Sequence, residues 1–351
     1  MQTLAPRPTS RVRDQNGRGA ATQWLPGLGA CIAVGAMSFA LGQLVPVFGG
    51  PAFGIVFGMV LSLVTRAQPI MRPGARIASH QLLQLSVVVL GFQLSLHDVV
   101  RTGVGSLPVM LGTLGLALLG AQLFGKLLRV NGDLRTLIGV GTGVCGASAI
   151  GAVTRVIGAA ETEVAYSLST IFAFNVLAVL LYPLLGHAMG MSQHTFGLWG
   201  GTAINDTSSV VAATATYGAA ASSYGVIVKL TRALTIVPIC AWLAVREARR
   251  SRTCPDPLGA QMPRWWQLVP WFIGYFLLAT VANTVGLVPA GWHHDLSRIA
   301  TFLITVALVG VGLSARFGEM RRSGLRPLAL GGALWLTVGG SSLALQAIFH
   351  S

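Results

Sequence analysis

Five consecutive polar side chains interrupt a long apolar stretch near the middle of this chain. They are Asn205, Asp206, Thr207, Ser208 and Ser209. A helix turns about 100° per residue, so a membrane helix can hide two or three of them against its neighbours, but not all five. The preceding Gly200-Gly201 pair lowers the cost of interrupting the helix. Non-helical backbone at membrane depth persists only where protein or a water-filled cavity covers it. The stretch therefore predicts a broken helix that lines an internal site.

Asp206 is the acidic residue placed in the middle of a predicted span, and an intramembrane carboxylate is a candidate for function. It could bind a coupling cation, carry a proton or pair with a basic residue. Lys229 and Arg232 lie within the next span, and their three-residue spacing places them on one helix face. Two cations beside one carboxylate leave a net positive pocket, which favours an anion as the ligand. A purely structural Asp–Lys pair is the alternative.

A second unusual stretch combines glycines with hydroxyl and thiol side chains. Its candidate site residues are Gly141, Thr142, Gly143, Cys145, Gly146 and Ser148. The glycine spacing matches the dinucleotide-binding fingerprint, but that fingerprint requires a soluble strand–helix–strand unit, and both flanks here are membrane spans. The stretch instead predicts a loosened helix whose free N–H groups and helix N-terminus hold an anionic substrate. Tight helix packing by the glycines is the alternative.

Other polar residues add less to the predicted site. Asn175 is a lone amide in the middle of a span, where it can line a cavity or form a hydrogen bond between helices. Glu161 and Glu163 are placed in a short external loop. His293 and His294 lack a third imidazole nearby, so we predict no metal site. Neither an ATP-binding motif nor a hydrolase arrangement is found, so we predict no cofactor and no enzyme activity.

The composition is that of an all-α integral membrane protein. Hydrophobic residues make up 53% of the 351 residues, charged residues 10%, and the mean hydropathy is +0.68. Apolar stretches of roughly 20 residues recur almost from end to end. They predict about eleven spans, at 27–45, 51–65, 80–96, 104–124, 136–153, 164–186, 196–214, 224–245, 265–285, 298–315 and 327–349.

Charge distribution predicts the orientation of these spans. Most of the 24 basic residues fall in alternate loops, on one side of the predicted membrane. The positive-inside rule makes that side the cytoplasm, so the N-terminus is inside and the C-terminus is periplasmic. The net charge of +14 is thereby explained without nucleic acid as a partner. Residues 1–23 are predicted to be a disordered cytoplasmic segment, and residues 24–351 a single transmembrane domain.

Small residues and an internal echo indicate how the spans pack. Gly50, Gly54 and Gly58 form a stripe that favours close helix contact. Residues 90–95 (LGFQLS) recur as residues 309–314 (VGVGLS), and the loops that follow lie on opposite sides in the charge map. Similar segments in opposite orientation are typical of the inverted repeats of secondary transporters. The two halves would divide near 160–260, where the longest connector (246–264, with Cys254) lies.

Taken together, several segments resemble one family. They are 141–150 (GTGVCGASAI), 203–213 (AINDTSSVVAA), 228–232 (VKLTR), 91–96 (GFQLSL) and 324–328 (GLRPL). These are similar to signature segments of the YeiH-like bacterial membrane proteins, a family labelled as sulfate exporters. The resemblance covers most of the chain. It implies membership of the wider superfamily of cation/proton antiporters and bile-acid symporters, with an inverted repeat, a core part, a panel part and broken helices that cross near the midplane.

One position departs from the pattern that the resemblance implies. We expect a histidine where this chain has Asn205, and an amide does not titrate near pH 7. Any proton coupling would then fall to Asp206.

The residues and the resemblance together predict a secondary active transporter in the bacterial inner membrane, most simply an exporter of a small anion such as sulfate, sulfite or an organosulfonate. The predicted substrate site combines the 141–148 stretch with Asn175, Asn205, Thr207, Ser208, Lys229 and Arg232, and Asp206 is the predicted site of coupling to H⁺ or Na⁺. The other expected partners are the lipid bilayer and, as one option, a second copy in a homodimer. An ion channel with the same interior is the alternative function, and a membrane enzyme is third.

Overall fold

A computed structural model describes residues 24–44, 49–64, 68–251, 271–314 and 324–349. The predicted N-terminal segment 1–23 and Cys254 lie outside these ranges. The described chain consists of helices joined by short connectors, without a β-strand in these ranges. The helices are α1 (Leu25–Leu44), α2 (Gly49–Val64), α3 (Gln68–Ile77), a π-helical turn (Ala78–Leu82), α4 (Leu83–Gly91), α5 (Leu96–Leu127), α6 (Gly132–Gly143), α7 (Ala147–Ile157), α8 (Glu161–Ala188), α9 (Gln193–Ala203), α10 (Thr207–Tyr217), α11 (Ala219–Ala233), α12 (Ile236–Ser251), α13 (Trp271–Thr284), a short 3₁₀ turn (Ala290–Trp292), α14 (His293–Leu313) and α15 (Leu325–Phe349).

Six helices in the described ranges are long and apolar enough to cross a membrane. They are α1, α5, α8, α14, α15 and the nearly continuous pair α11–α12, counted from Ala219 to Arg246. Apolar side chains such as Leu119, Leu123 and Leu184 stay exposed on their outer faces, as lipid-facing residues do. The prediction of an all-α integral membrane protein is therefore confirmed. The helices α2, α7 and α13 are apolar but shorter.

The helices form two groups. The panel consists of α1, α2, α3, α4, α13 and α14, and the core consists of α5 to α12 together with α15. The panel touches the core mainly where α2 and α14 pack against α10. Lys126 and Arg129 at the end of α5, with Arg135 in α6, mark one side of the molecule, which we call the basic side.

The second broken helix turns back on itself. Tyr217, at the end of α10, donates its hydroxyl to the carbonyl of Met191, just before α9, at 2.5 Å. The rings of Phe196 and Tyr217 stack with their centroids 3.8 Å apart. The side-chain oxygen of Gln193 accepts a hydrogen bond from the N–H of Ala220 at 3.0 Å. The chain thus enters α9 and leaves α10 on the same side, and the pair forms a hairpin.

The first broken helix makes the same turn from the other side. Asn131, the N-cap of α6, donates its side-chain amide to the carboxylate of Glu163, in the first turn of α8. A Cβ on Gly141 in α6 would lie 3.0 Å from the side chain of Ile150 in α7. In a continuous helix these two residues would be about 13 Å apart along the axis. The pair α6–α7 is therefore a hairpin that begins and ends on the basic side.

These hairpins correct the predicted topology. The predicted spans 136–153 and 196–214 are broken, as the sequence indicated, but each returns to the side on which it begins. The broken helices therefore meet at their tips instead of running through one another. Because Glu163 pairs with Asn131, the loop of Glu161 and Glu163 lies on the basic side, opposite to its predicted external position.

The predicted roles of the glycine stripe and of the internal echo agree with the structure. A Cβ on Gly54 would lie 2.8 Å from the carbonyl oxygen of Thr305, and Gly58 lies just as close to the backbone of Val309, so the stripe packs α2 against α14. The first echoed segment ends α4 and the second ends α14. These two helices pack together in the panel and run in opposite directions, as an inverted repeat requires.

The stripe leads to a first prediction. Gly58→Ala should destabilise the protein, because the new Cβ would meet the Val309 backbone, and overpacking costs about 1–3 kcal/mol. Gly29→Ala in α1 is the matched control: nothing lies within 4 Å of its Cβ position, so only the gain in helix propensity of roughly 1 kcal/mol should remain. Thermal unfolding in detergent measures both. Equal melting temperatures would contradict the close contact.

Candidate functional site at the hairpin tips

The tips of the two hairpins touch inside the core. The first tip comprises Val144, Cys145 and Gly146, and the second comprises Ile204, Asn205 and Asp206. Gly146 has φ +66°, a left-handed conformation that suits glycine. A Cβ on Gly146 would lie 3.4 Å from Cβ of Asp206. The two predicted breaks are thus brought together in space, although 60 residues separate their positions in the chain.

Lys229 joins the two tips. It lies in α11 and its side chain is fully buried. The Nζ atom donates to the carbonyl oxygen of Val144 at 2.9 Å and to that of Ile204 at 2.8 Å. Each carbonyl belongs to a different hairpin, so one ammonium group holds both.

Arg232 repeats this contact one turn further along α11, and its side chain is also fully buried. Its Nε atom donates to the carbonyl of Gly143 at 2.6 Å. One terminal nitrogen donates to the carbonyl of Thr202, and the other to that of Thr142 at 3.2 Å. The guanidinium therefore binds the last turns of α6 and α9 together.

These contacts correct the predicted partners of the two cations. In the described part of the chain neither Lys229 nor Arg232 forms a salt bridge with Asp206; both bind the C-terminal carbonyls of α6 and α9. The C-terminus of a helix carries roughly half a negative charge, so two helix ends balance much of the positive charge. Both side chains therefore hold the hairpin tips together, and their binding of an anion through the N–H groups that remain stays a prediction.

Asp206 caps the helix that follows it. Its carboxylate accepts hydrogen bonds from the backbone N–H of Ser208 at 3.0 Å and from the Ser208 hydroxyl. This is an N-cap, which places the negative charge at the positive end of α10. Asp206, Thr207 and Ser208 are all partly exposed, whereas Asn205 is buried. The carboxylate thus remains within reach of an ion from solution.

The N-terminus of α7 has no such cap. Its N-cap is Gly146, which offers no side chain to the first N–H groups of the helix. Ser148, in the first turn, is exposed. The positive ends of α7 and α10 therefore lie at the touching tips, one capped by a carboxylate and the other without a capping side chain. N–H groups in this arrangement suit an oxyanion.

Three buried polar side chains beside the tips lack a protein partner. The hydroxyl of Thr142, both polar atoms of Asn175 and the side-chain oxygen of Asn205 are buried without a hydrogen bond in the described part of the chain. Buried polar groups are almost always paired, and exceptions often belong to sites that bind water, ions or substrate. Asn175 lies in α8, which packs against α6 and α10.

The remaining candidates in the glycine-rich stretch are packing positions. A Cβ on Gly141 would lie 3.0 Å from Ile150, and one on Gly143 would lie 2.9 Å from Leu114. Cys145 is buried within an apolar cluster. At these positions the structure agrees better with tight helix packing than with exposed backbone hydrogen-bond donors. The backbone carbonyls of Gly143 and Gly141 nonetheless serve the tip: the first accepts from Arg232 and the second from the N–H of Gly146.

Sequence reasoning missed the residues that hold the second hairpin against α15. The indole N–H of Trp199 donates to the carbonyl of Gly339 at 3.0 Å, and its ring stacks on Tyr182 at 4.2 Å. The hydroxyl oxygens of Thr202 and Ser342 lie 2.7 Å apart. A tryptophan beside paired glycines was the available signal, but nothing in the sequence indicated its partner.

Comparison with known proteins places this chain in a family. Residues 26–331 match the family described as Conserved hypothetical protein 698, and this range includes both hairpins and α11. A UPF0324 membrane protein of Streptococcus pyogenes serotype M6 is 37% identical over 329 residues, covering 92% of this chain and 96% of the relative. The chain belongs to the UPF0324 family. Relatives with the same family name in Streptococcus agalactiae serotype V and Fusobacterium nucleatum are 35% and 34% identical over 332 and 344 residues. The matches cover 92% of this UPF0324 chain in both cases, and 97% and 98% of those relatives.

Membership confirms the family resemblance seen in the sequence. The names of these UPF0324 relatives describe membrane proteins and state no substrate. The several apolar helices and this family name together establish a multi-pass membrane protein. The chemistry of the UPF0324 protein must therefore be argued from the hairpin tips.

Proposed function

We propose that this UPF0324 protein is a secondary active transporter that exports a small anion, such as sulfate, sulfite or an organosulfonate, across the bacterial inner membrane. The observation that supports this most is the meeting of two oppositely inserted hairpins at Lys229. Discontinuous helices whose ends meet in the interior form the substrate sites of many transporters. The positive-inside rule makes the basic side cytoplasmic, which places the N-terminus inside and the C-terminus in the periplasm.

The charge balance at the tips favours an anion as substrate. Lys229 and Arg232 outweigh Asp206 by one positive charge, although their N–H groups bind carbonyls. The anion would lie against the N-terminus of α7, within reach of the Ser148 hydroxyl. The Ser208 hydroxyl, which donates to Asp206 in the structure, would turn to the anion when Asp206 binds H⁺ or Na⁺. This set keeps the backbone N–H groups and hydroxyls that the sequence predicted, whereas the two cationic side chains contribute mainly their charge, because they bind carbonyls.

Asp206 is the proposed coupling residue. Binding of H⁺ or Na⁺ there would cancel the negative charge nearest to the anion and so raise the anion's affinity. The two ions would then cross together, and export would run down the outward gradient of the anion. The amide of Asn205 cannot supply a proton at neutral pH, and the Lys229 ammonium binds two carbonyls, which leaves Asp206 as the carboxylate for coupling at the tips. Movement of the core against the panel would then expose the tips alternately to each side.

A channel would need an open path with weak sites in series. The apolar cluster between core and panel, which includes Ile55, Val211, Ala212 and Leu308, fills this interface in the described chain. The observation favours alternating access over an open pore.

The test is transport by the purified protein in liposomes loaded with sulfate. Asp206→Asn should lower gradient-driven flux at least about tenfold, equivalent to roughly 1.4 kcal/mol, yet leave sulfate–sulfate exchange intact, because exchange needs no net coupling. Asp133→Asn, which removes a carboxylate from the first turn of α6 on the basic side, should leave both rates unchanged. Flux that never saturates and shows no exchange would identify a channel, and absence of any anion flux would overturn the proposal.

A further inference from the structure

A cavity of about 300 Å³ lies between the panel and the core, on the side opposite to the basic side. Its position follows from the helix ends that line it: the end of α1, the start of α2, the end of α10 and the starts of α11 and α14. Its polar lining includes Gln43, Gln93, Ser222, Ser223, Arg298 and Thr301. Among the described residues that line it, none is acidic.

Two of these polar groups are buried without a partner. The side-chain nitrogen of Gln93, contributed by the panel, and the hydroxyl of Ser222, contributed by the core, form no hydrogen bond with any residue that the structure describes. Ser222 is 3% exposed, so its unpaired hydroxyl carries a desolvation cost unless a ligand or water fills the cavity. Both groups can donate a hydrogen bond.

Arg298 supplies the charge. It is exposed, lies in the second turn of α14 and forms no salt bridge within the described residues. Its planar guanidinium can bind two oxygens of one oxyanion side by side. The cavity thus presents one cation and two unpaired hydrogen-bond donors, and its volume suits a small hydrated ion. This combination fits an oxyanion.

We infer that this cavity is a second binding site for the transported oxyanion, at which it is held between the hairpin tips and the side opposite to the basic side. The inference rests on the proposed function for the identity of the anion. Because Gln93 and Ser222 belong to different groups of helices, a movement of the core against the panel changes the distance between the two donors. The two donors are therefore close enough to bind one anion in one position of the core and too far apart in the other.

The cavity is separate from the tips. Ala215 in α10 lines it, and Ser208 at the tip lies seven residues earlier, about 10 Å along the helix. Its inner wall is formed by the apolar side chains of Leu90 and Ile304, which belong to the same cluster as Val211. An anion in the cavity cannot contact the tips until this packing opens.

Binding of radiolabelled sulfate to the purified protein tests the inference without transport. Wild-type protein should bind about two sulfates per chain, and Arg298→Gln should bind about one, with Ser222→Ala weakening the same site. Ser208→Ala should remove the other sulfate. Arg101→Gln, which removes an exposed arginine from the first turns of α5 outside the cavity, is the control and should bind as wild type. Unchanged stoichiometry and affinity in Arg298→Gln, or no sulfate bound by wild type, would overturn the inference.

Sidedness of transport provides the second measurement. With oriented liposomes, Arg298→Gln should raise the KM for sulfate about fivefold or more when sulfate is offered from the cavity side. The KM from the basic side should not change, whereas Ser208→Ala should alter both. If Arg298→Gln abolished sulfate binding in the cavity but the wild-type protein showed no measurable flux, the binding site would be upheld and the transport function rejected. Normal flux with equal KM values in Arg298→Gln would reject the site and uphold the transporter.

Discussion

Lys229→Met is expected to cause one of the two largest losses of stability. The substitution leaves the carbonyls of Val144 and Ile204 buried without their donor, and each unpaired group costs about 1–3 kcal/mol. Methionine has nearly the same length and is easier to bury than an ammonium, which offsets part of this cost. We expect a net loss of roughly 2–4 kcal/mol and an apparent Tm lower by about 5 °C or more.

Thermal unfolding of the purified protein in detergent measures this effect. Lys126→Met is the matched control, because it removes the same charge from an exposed position at the end of α5, and should shift the Tm by less than about 1 °C. A Lys229→Met protein as stable as the control would show that the ammonium group does not hold the tips together.

Arg232→Lys is the second large effect, although it keeps the positive charge. The guanidinium reaches the carbonyls of Gly143, Thr202 and Thr142 with three different nitrogens, and one ammonium cannot occupy all three positions. Removing such a buried network typically costs about 3–5 kcal/mol, and retention of the charge should limit the loss to roughly 2–3 kcal/mol. Arg232→Leu should be worse than Arg232→Lys, because it leaves the ends of both helices without a cation.

The same unfolding assay applies, with Arg246→Lys as the control. Arg246 is exposed near the end of α12, where its guanidinium lies 5.8 Å from the ring of Trp242, so the exchange should cost less than about 1 kcal/mol. If Arg232→Lys and Arg246→Lys were equally mild, positive charge alone would be sufficient at the tips. If Arg232→Lys and Arg232→Leu were equally harmful, hydrogen-bond geometry alone would decide.

The breaks were predictable because their cause is local. Five polar side chains from Asn205 to Ser209 cannot all be shielded on one helix, and the structure ends α9 at Ala203, just before this stretch, and begins α10 within it. The first break is visible in the same way, since Gly146 adopts a positive φ that glycine tolerates best. The contact between the two breaks was suggested only by their shared glycines and hydroxyls.

The direction of the chain after each break was not predictable from charge. In the structure this part of the chain forms two hairpins and two full crossings of the membrane, instead of the four crossings that were predicted. Both arrangements place every loop before the first break, and every loop after the second break, on the same side of the membrane. Only the connectors between the breaks change sides, and the first of these carries Arg155 against Glu161 and Glu163. The positive-inside rule counts basic residues and gives little weight to acidic ones, so a single arginine cannot decide the topology.

The partners of the cations were hidden for a different reason. The spacing of Lys229 and Arg232 correctly placed both on one face of a buried helix. Every residue has a backbone carbonyl, however, so a sequence gives no sign of which carbonyls become free at a helix end. The sequence therefore offered only the nearest carboxylate, Asp206, as an alternative partner, and the structure uses Asp206 instead to cap α10.

The short legs of the hairpins also set an order of assembly in the cell. The helices α6 and α7 have 12 and 11 residues, about 18 Å and 17 Å, whereas the hydrocarbon layer is about 30 Å thick. Neither leg can therefore be inserted as an independent span. The carbonyl of Val144 at the first tip receives the Lys229 ammonium from α11, which the ribosome makes about 85 residues later. The first hairpin must therefore wait at the membrane surface, or enter with its tip unpaired, until the second hairpin and α11 have been synthesised.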